Sequence, residues 1–436
     1  MRIIQITSGT GSFHCGTCMR DNALVVELRK QGHDALMVPL YLPPVLDEAT
    51  AGEAPLFYGG INVYLQQKSG LFRHTPRWLD RLLDGPGVLR AAASRASMTR
   101  PSDLGELTLS MLRGEEGRQV KELERLTEWL EAEGRPEVVC LSNALLIGLA
   151  RRIKQQTGAA VACMMQGEDS YLDSLPEPER QQAWDLLSQR ADDVDLFLPV
   201  SRYYGDLMRA RAGIPADRMR VVYPGLRLEG FEPAPAAPEP PVLGYLARMC
   251  PVKGLETLVE AYVLLRAGGR MPHLKLRIAG ARTAADEPFV ERLRARLDAK
   301  GLAGDVEFLP NVDRDEKIAF LQSLSVLSVP ATYGESFGLY LIEAMAAGVP
   351  VVQPRHAAFP EIIEETGGGV LCEPDDPQAL AAAVEGLLLD PSLARSLGEK
   401  GCRAVRERFS VEQMARETLR AFAAVTRRGE TAAARG

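Results

Sequence analysis

Residues 232–241, EPAPAAPEPP, place five prolines in ten positions. Proline fixes φ and carries no amide hydrogen, so this stretch can be neither helix nor central strand. On both sides of it the chain repeats one alternation: a short β-branched apolar segment, a loop, then a segment of helix-forming composition. Before it, strands are expected at 3–7, 35–40, 137–141, 159–164, 196–199 and 220–223, with helices at 17–30, 119–133 and 144–154. After it, strands are expected at 242–247, 275–279, 306–309 and 325–329, with helices at 255–265, 288–299, 315–321 and 339–347. Strands and helices in alternation build parallel sheets covered by helices on both faces. At 436 residues the chain exceeds most single cores, so two domains are expected. The fold class read here is α/β, with a Rossmann-like domain at 1–230, a proline-rich linker at 231–241, a second Rossmann-like domain at 242–427 packed by the Ala- and Leu-rich helices from 377 on, and a disordered tail at 428–436. Residues 43–118 break the alternation and read as an insertion in the first domain.

Composition narrows the function. Apolar residues at 46% and charged residues at 25% are ordinary for a globular chain. A formal charge of −7 argues against nucleic-acid partners, whose binding needs a basic surface. The start, MRIIQIT, is too soon interrupted by polar residues and glycine for a signal peptide, and no apolar run is long enough to span a bilayer, so a cytoplasmic location is expected. Seven scattered cysteines read as reduced thiols.

The chemistry concentrates at 330–350, PATYGESFGLYLIEAMAAGVP. The apolar run SVLSV ends at Val329, and a loop with Glu335 leads into a helix whose first amides belong to Phe337, Gly338 and Leu339. Such amides, at the positive end of the helix dipole, suit a phosphate. Glu343 falls about five residues into the helix, roughly 7 to 8 Å further along its axis. A carboxylate on each side of an anion site suits a ligand with a central diphosphate and hydroxyl-bearing ends, because ionised carboxylates only accept hydrogen bonds. A nucleotide sugar is such a ligand. Arg248 and Lys253, following the first strand of the second domain, would add two fixed cations for the diphosphate.

Glu335, seven residues and Glu343 in ESFGLYLIEAMAAGVPVV resemble the E-x7-E signature of glycosyltransferase family 4. LARMCPVKG at 246–254, VEFLPNV at 306–312 and PEIIEETGGGVLCEPDD at 360–376 resemble that family in the same order. The resemblance implies the glycosyltransferase-B fold, two Rossmann-like domains facing across a cleft, and retaining sugar transfer without a metal or other cofactor. It implies a catalytic role for Arg248, Lys253 and Glu335, and donor binding by Glu343, Phe337, Gly338 and Leu339, with Asn311 and Val312 expected to line the base pocket. The loop SGTGSFHCG resembles the family's glycine-rich first loop, which brings Gly11 and Gly16 near the donor, although Cys15 stands where the first glycine of a pair would be. His14 breaks the G-x-G-x-x-G spacing, so dinucleotide binding is not supported. Many family members carry a histidine about where Gln166 lies, in contact with the transferred sugar; Gln166 can donate and accept hydrogen bonds but cannot titrate, and Glu168 and Asp169 are the neighbouring alternatives for a base.

His14, Cys15 and Cys18 form an HCxxC cluster, read as reduced thiols because the other cysteines supply no second pair for zinc. Two D-x-D sequences, 193–195 and 313–315, are set aside as metal sites: Asp195 precedes a strand instead of following one, and Asp313 sits where it would cap the helix at 316. Residues 68–100 carry seven Lys/Arg against two Asp, interleaved with Trp78, Leu79, Leu82 and Leu83. They read either as a helical flap with a solvated face or as a surface for an anionic acceptor or membrane. The donor is expected to be a UDP-, GDP- or ADP-sugar and the acceptor a sugar or a lipid-linked molecule. Two other readings stay open: a nucleotide-sugar epimerase or hydrolase on the same fold, and a non-catalytic sugar-nucleotide-binding protein.

Overall fold

The computed structural model describes residues 1–9, 16–41, 57 and 101–433. The chain forms two compact units, Met1–Tyr223 with Met414–Gly436, and Pro224–Gln413.

In the first unit β1 (Arg2–Thr7), β2 (Asp34–Pro39), β3 (Val138–Leu141), β4 (Ala160–Met165) and β5 (Leu196–Pro199) form one parallel sheet in the order β2-β1-β3-β4-β5. The strands are short apolar runs because both faces of the sheet are covered: every residue of β3 is buried, and Val138 to Leu141 are 0% exposed. Helix Gly16–Lys30 returns the chain from β1 to β2 and buries Leu24, Val25 and Leu28. The helix expected from 144 begins as a 3-10 turn, Ala144–Leu149, and becomes regular only over Ala150–Thr157. At this turn Gly148 meets the backbone of helix Pro101–Arg113: a Cβ there would lie 2.1 Å from the Met111 carbonyl oxygen. The strand expected at 220–223 is instead an extended segment whose Arg220 and Val222 amides bond Phe197 and Pro199 at 3.0 and 3.1 Å.

In the second unit β6 (Val242–Leu246), β7 (Lys275–Gly280), β8 (Val306–Pro310), β9 (Val326–Leu327), β10 (Val351–Pro354) and β11 (Gly369–Cys372) form a second parallel sheet, ordered β11-β10-β9-β6-β7-β8. The order reverses between β6 and β9, as it does between β1 and β3 in the first sheet. At such a switch point the loops leaving two neighbouring strands turn away to opposite sides, opening a crevice beyond their carboxyl ends.

The proline-rich stretch lies within the second unit. Phe231 before it is 0% exposed, and Arg406 bonds the Phe231 carbonyl at 2.7 Å and the Glu232 carboxylate at 3.1 Å. The last helix, Val411–Ala433, groups from Met414 on with the first unit, where residues up to 427 were expected to pack the second, and it buries Met414, Ala415, Thr418 and Phe422. Its apolar stripe reads in the sequence as a packing face, but periodicity does not say which core receives it.

Candidate active site

The switch point of the second sheet gathers the residues singled out by sequence. β6 ends in a loop whose shape depends on the buried Tyr245: its hydroxyl donates to the Arg248 carbonyl at 2.9 Å and lies 3.4 Å from that of Lys253. A 3-10 turn, Pro251–Lys253, then ends at Gly254 with φ of +73°. That residue must be glycine on two counts, since the left-handed conformation is costly for other residues and a Cβ would stand 1.7 Å from the Pro330 carbonyl oxygen. The close approach brings the loop after β6 against the loop after β9, and the Thr332 amide bonds the Val252 carbonyl at 3.1 Å.

Lys253 and Glu335 meet there. Lys253 Nζ lies 2.6 Å from Glu335 Oε2, contacts the Tyr333 hydroxyl, and stands 4.7 Å from the centre of the Tyr333 ring. The Tyr340 hydroxyl donates to the same carboxylate oxygen at 3.0 Å. Burial, and then the Glu335 charge, push the Tyr340 pKa well above that of free tyrosine, so it stays a donor. Helix Leu339–Ala346 starts from Gly338 at φ +87°, and the amides of Gly338 and Leu339 have no protein acceptor among the described residues. The Phe337 side chain is core, 3% exposed with its ring 6.0 Å from that of Phe409.

Glu343, further along the helix, is held by Lys317 Nζ at 2.6 Å. Lys317 comes from helix Arg314–Gln322, which Asp313 and Glu316 start with a reciprocal capping box, so Asp313 has the capping role expected of it. Asn311 occupies a left-handed turn at φ +57°, where its side chain accepts from the Arg282 amide at 3.0 Å and donates to the Arg282 carbonyl at 3.3 Å. The side chain braces the loop after β7, and Val312 beside it is half-buried. Arg248 is gripped by Asp286, whose two oxygens lie 2.9 to 3.2 Å from Nε and Nη2. Burial pushes the Asp286 pKa up, but hydrogen bonds from Arg248 and Thr283 outweigh it and leave the pKa below the ordinary value. The Arg248 side chain is 51% exposed, and its Nη1 has no bond to described residues.

Sequence reasoning missed Asp286, Lys317 and Tyr340. Tyr340 had a local signal, five residues after Glu335, whereas Asp286 and Lys317 reach their partners only through the fold.

In the first unit Gln166 follows β4 and is bonded at both ends of its amide: Oε1 accepts from Arg20 Nη1, Nε2 donates to Thr17 Oγ1, and its backbone nitrogen donates to Glu168 Oε2, each at 2.6 Å. Glu168 is 3% exposed and also accepts from the Ala144 amide and the Tyr204 hydroxyl at 2.9 and 2.7 Å. Burial raises its pKa, and its two oxygens tie neighbouring loops together. Asp169 is 8% exposed. Gly16 opens the helix after β1, while Gly11, His14, Cys15 and the basic stretch 68–100 lie outside the described residues. Cys18 is 1% exposed. Asp193 pairs with Arg151 at 3.1 Å and Asp195 with Lys154 at 2.7 Å, and no cluster fit for a metal occurs among the described residues. No described helix is long and apolar enough to cross a membrane.

Comparison with known proteins follows the same division. The family model for glycosyl transferase 4-like domains matches residues 20–225, and that for glycosyl transferases group 1 matches residues 229–403. A D-inositol 3-phosphate glycosyltransferase of Acidothermus cellulolyticus is 33% identical over 196 residues, 42% of this chain and 43% of the relative. The matched regions span between 37% and 58% of the length of the curated relatives. Sucrose-phosphate synthase of Thermosynechococcus elongatus shares the fold with a TM-score of 0.70 at 19% identity, over 98% of this chain and 99% of that one. Anabaena HepE, solved in complex with UDP, does so with a TM-score of 0.67 at 15% identity, over 97% and 100%. Two Rossmann-like units, the matched models and the shared fold together carry one conclusion: the chain belongs to glycosyltransferase family 4, of the glycosyltransferase-B fold.

Proposed function

We propose that the chain is a retaining, metal-independent glycosyltransferase that takes a sugar from a nucleotide-sugar donor held by the second unit and gives it to a hydroxyl acceptor. The observation that carries this reading is the 2.6 Å contact between Lys253 and Glu335 at the β6/β9 switch point, beside the helix start at Gly338. Lys253, Arg248 and the amides of Gly338 and Leu339 hold the diphosphate, Glu343 accepts from ribose hydroxyls and Glu335 from those of the sugar. Fixed donors around the departing diphosphate stabilise charge as the glycosidic bond breaks, the task a divalent ion performs elsewhere. A diphosphate oxygen on the face the sugar leaves takes the acceptor's proton, so attack comes from that face and configuration is kept. The first unit, with residues 43–118, serves the acceptor, a sugar or lipid-linked molecule. UDP-sugars are favoured as donors by the likeness to the UDP-bound Anabaena protein, with GDP- and ADP-sugars as the alternatives.

The test is nucleotide release in EDTA from UDP-, GDP- and ADP-sugars, with and without a panel of sugar and lipid-linked acceptors. Release that requires an acceptor supports transfer. Release without one points to a hydrolase, and stabilisation by nucleotide without turnover points to a binding protein; a ligand at 100 times its Kd stabilises by about 2.7 kcal/mol.

A further inference from the structure

Glu335 is held by two donors that differ in what else they can do. Lys253 Nζ and the Tyr340 hydroxyl both bond Oε2, at 2.6 and 3.0 Å, while Oε1 has no partner among the described residues. An ionised carboxylate offers about four acceptor sites, roughly two on each oxygen, so these donors fill Oε2 and leave the accepting capacity on Oε1. All three residues belong to the second unit.

Lys253 is also the cation proposed for the diphosphate. An ammonium on a four-carbon stem is a point charge free to swing between anions, and this side chain is 21% exposed. Tyr340 has no such freedom. It is the second residue of helix Leu339–Ala346, where side chains lean back toward the helix start, and so it reaches the carboxylate five residues before it. Its ring is buried, 6.4 Å from that of Phe359, and a Cβ on Gly338 would stand 3.4 Å from Tyr340 Cζ. A buried hydroxyl needs a partner, and Glu335 supplies it. Burial, and then the Glu335 charge, keep the phenol protonated and therefore donating.

We propose that Tyr340 is a positioning residue: it retains Glu335 Oε2 when Lys253 turns to the diphosphate, and so keeps Oε1 presented to a hydroxyl of the donor sugar. The inference rests on the proposed function, which gives Lys253 the diphosphate and Glu335 the sugar. A phenol suits the task because it anchors the carboxylate without adding a charge that the diphosphate would draw away.

The test compares Tyr340→Phe, Glu335→Ala and their double variant, using whichever UDP-, GDP- or ADP-sugar the unaltered chain turns over. It reads kcat/KM for that donor and the Kd of the free nucleotide. Phenylalanine keeps the ring and removes the hydroxyl alone. Tyr340→Phe is expected to lose about tenfold in kcat/KM, the scale of one hydrogen bond to a charged group, while the nucleotide Kd changes less than about twofold. Once residue 335 is alanine, Tyr340→Phe is expected to cost nothing further, because Tyr340 acts through that carboxylate. Near-normal kcat/KM of Tyr340→Phe overturns the inference. So does an equal loss of nucleotide affinity, which would place the effect at the helix start, and so does a further loss of about tenfold in the double variant. If Tyr340→Phe does not fold, the double variant, which leaves no carboxylate to strand, decides by the same comparison with Glu335→Ala. Normal transfer by both the unaltered chain and Tyr340→Phe removes only this inference; an unaltered chain that transfers no sugar removes the proposed function and this inference with it.

Discussion

Lys253 Nζ and Glu335 Oε2, 82 residues apart in sequence, are 2.6 Å apart in the structure. The cation proposed to hold the leaving diphosphate is thus already paired with the carboxylate proposed to hold the sugar. Arg248 is likewise paired with Asp286, and Glu343 with Lys317. Each of these side chains thus has an opposite charge beside it.

Lys253→Ala and Arg248→Ala are each expected to lower turnover about a hundredfold or more, since a fixed charge aimed at developing negative charge in a dry site is worth several kcal/mol. Lys253→Ala is also expected to lower the unfolding midpoint, because it strands the Glu335 carboxylate, 10% exposed, with Tyr340 as its remaining side-chain donor. Adding Glu335→Gln is expected to restore the midpoint without restoring turnover. Near-normal turnover in both single variants would remove the phosphate clamp.

The proposed function divides the donor between the two glutamates. Glu343→Ala is expected to weaken binding of free nucleotide, and Glu335→Ala to slow transfer while leaving nucleotide affinity nearly intact. Calorimetric titration with UDP, GDP and ADP checks this, and equal losses of nucleotide affinity would contradict the division.

Asp286 gives the site a pH signature. Its folded pKa is held below the ordinary 3.8 by bonds from Arg248 and Thr283 that outweigh burial. A lowered carboxylate pKa contributes stability that is present above 3.8 and lost as pH falls through the folded value. Arg248→Ala removes part of that contribution, so its deficit in unfolding midpoint is expected to be steady near neutrality and to shrink below pH 3.8. A deficit unchanged in acid would mean that Arg248 stabilises by packing alone.

Much of the second unit's site was legible because its chemistry is local. A strand, a loop and a helix start fix where Arg248, Lys253, Glu335 and Glu343 stand, and strand–helix alternation fixes both sheets. The counter-charges were not legible. Asp286 belongs to the loop after β7 and Lys317 to a neighbouring helix, and no spacing announces either. Gln166 was visible as a departure from the family's histidine, but Arg20, which bonds its side-chain oxygen, lies 146 residues away. The last helix shows the same limit: its helix-forming composition is plain in the sequence, while its grouping with the first unit is set by long-range packing.

The basic stretch offers a prediction from spacing alone. Arg73, Arg77 and Arg81 are four residues apart and would share a face if 72–83 is helical. Neutralising all three is expected to weaken binding to anionic vesicles or raise the KM for an anionic acceptor, most strongly at low salt. No change in either would leave a solvated face.

The most direct measurement is proton NMR of the product formed from an α-linked nucleotide sugar in EDTA, read before any anomerisation. A new glycoside with an α-anomeric coupling is expected, because in the proposed reaction the acceptor attacks from the face the diphosphate leaves and the protein supplies the cations. A β-anomeric coupling would contradict the mechanism, and loss of all activity in EDTA would contradict its independence of metal.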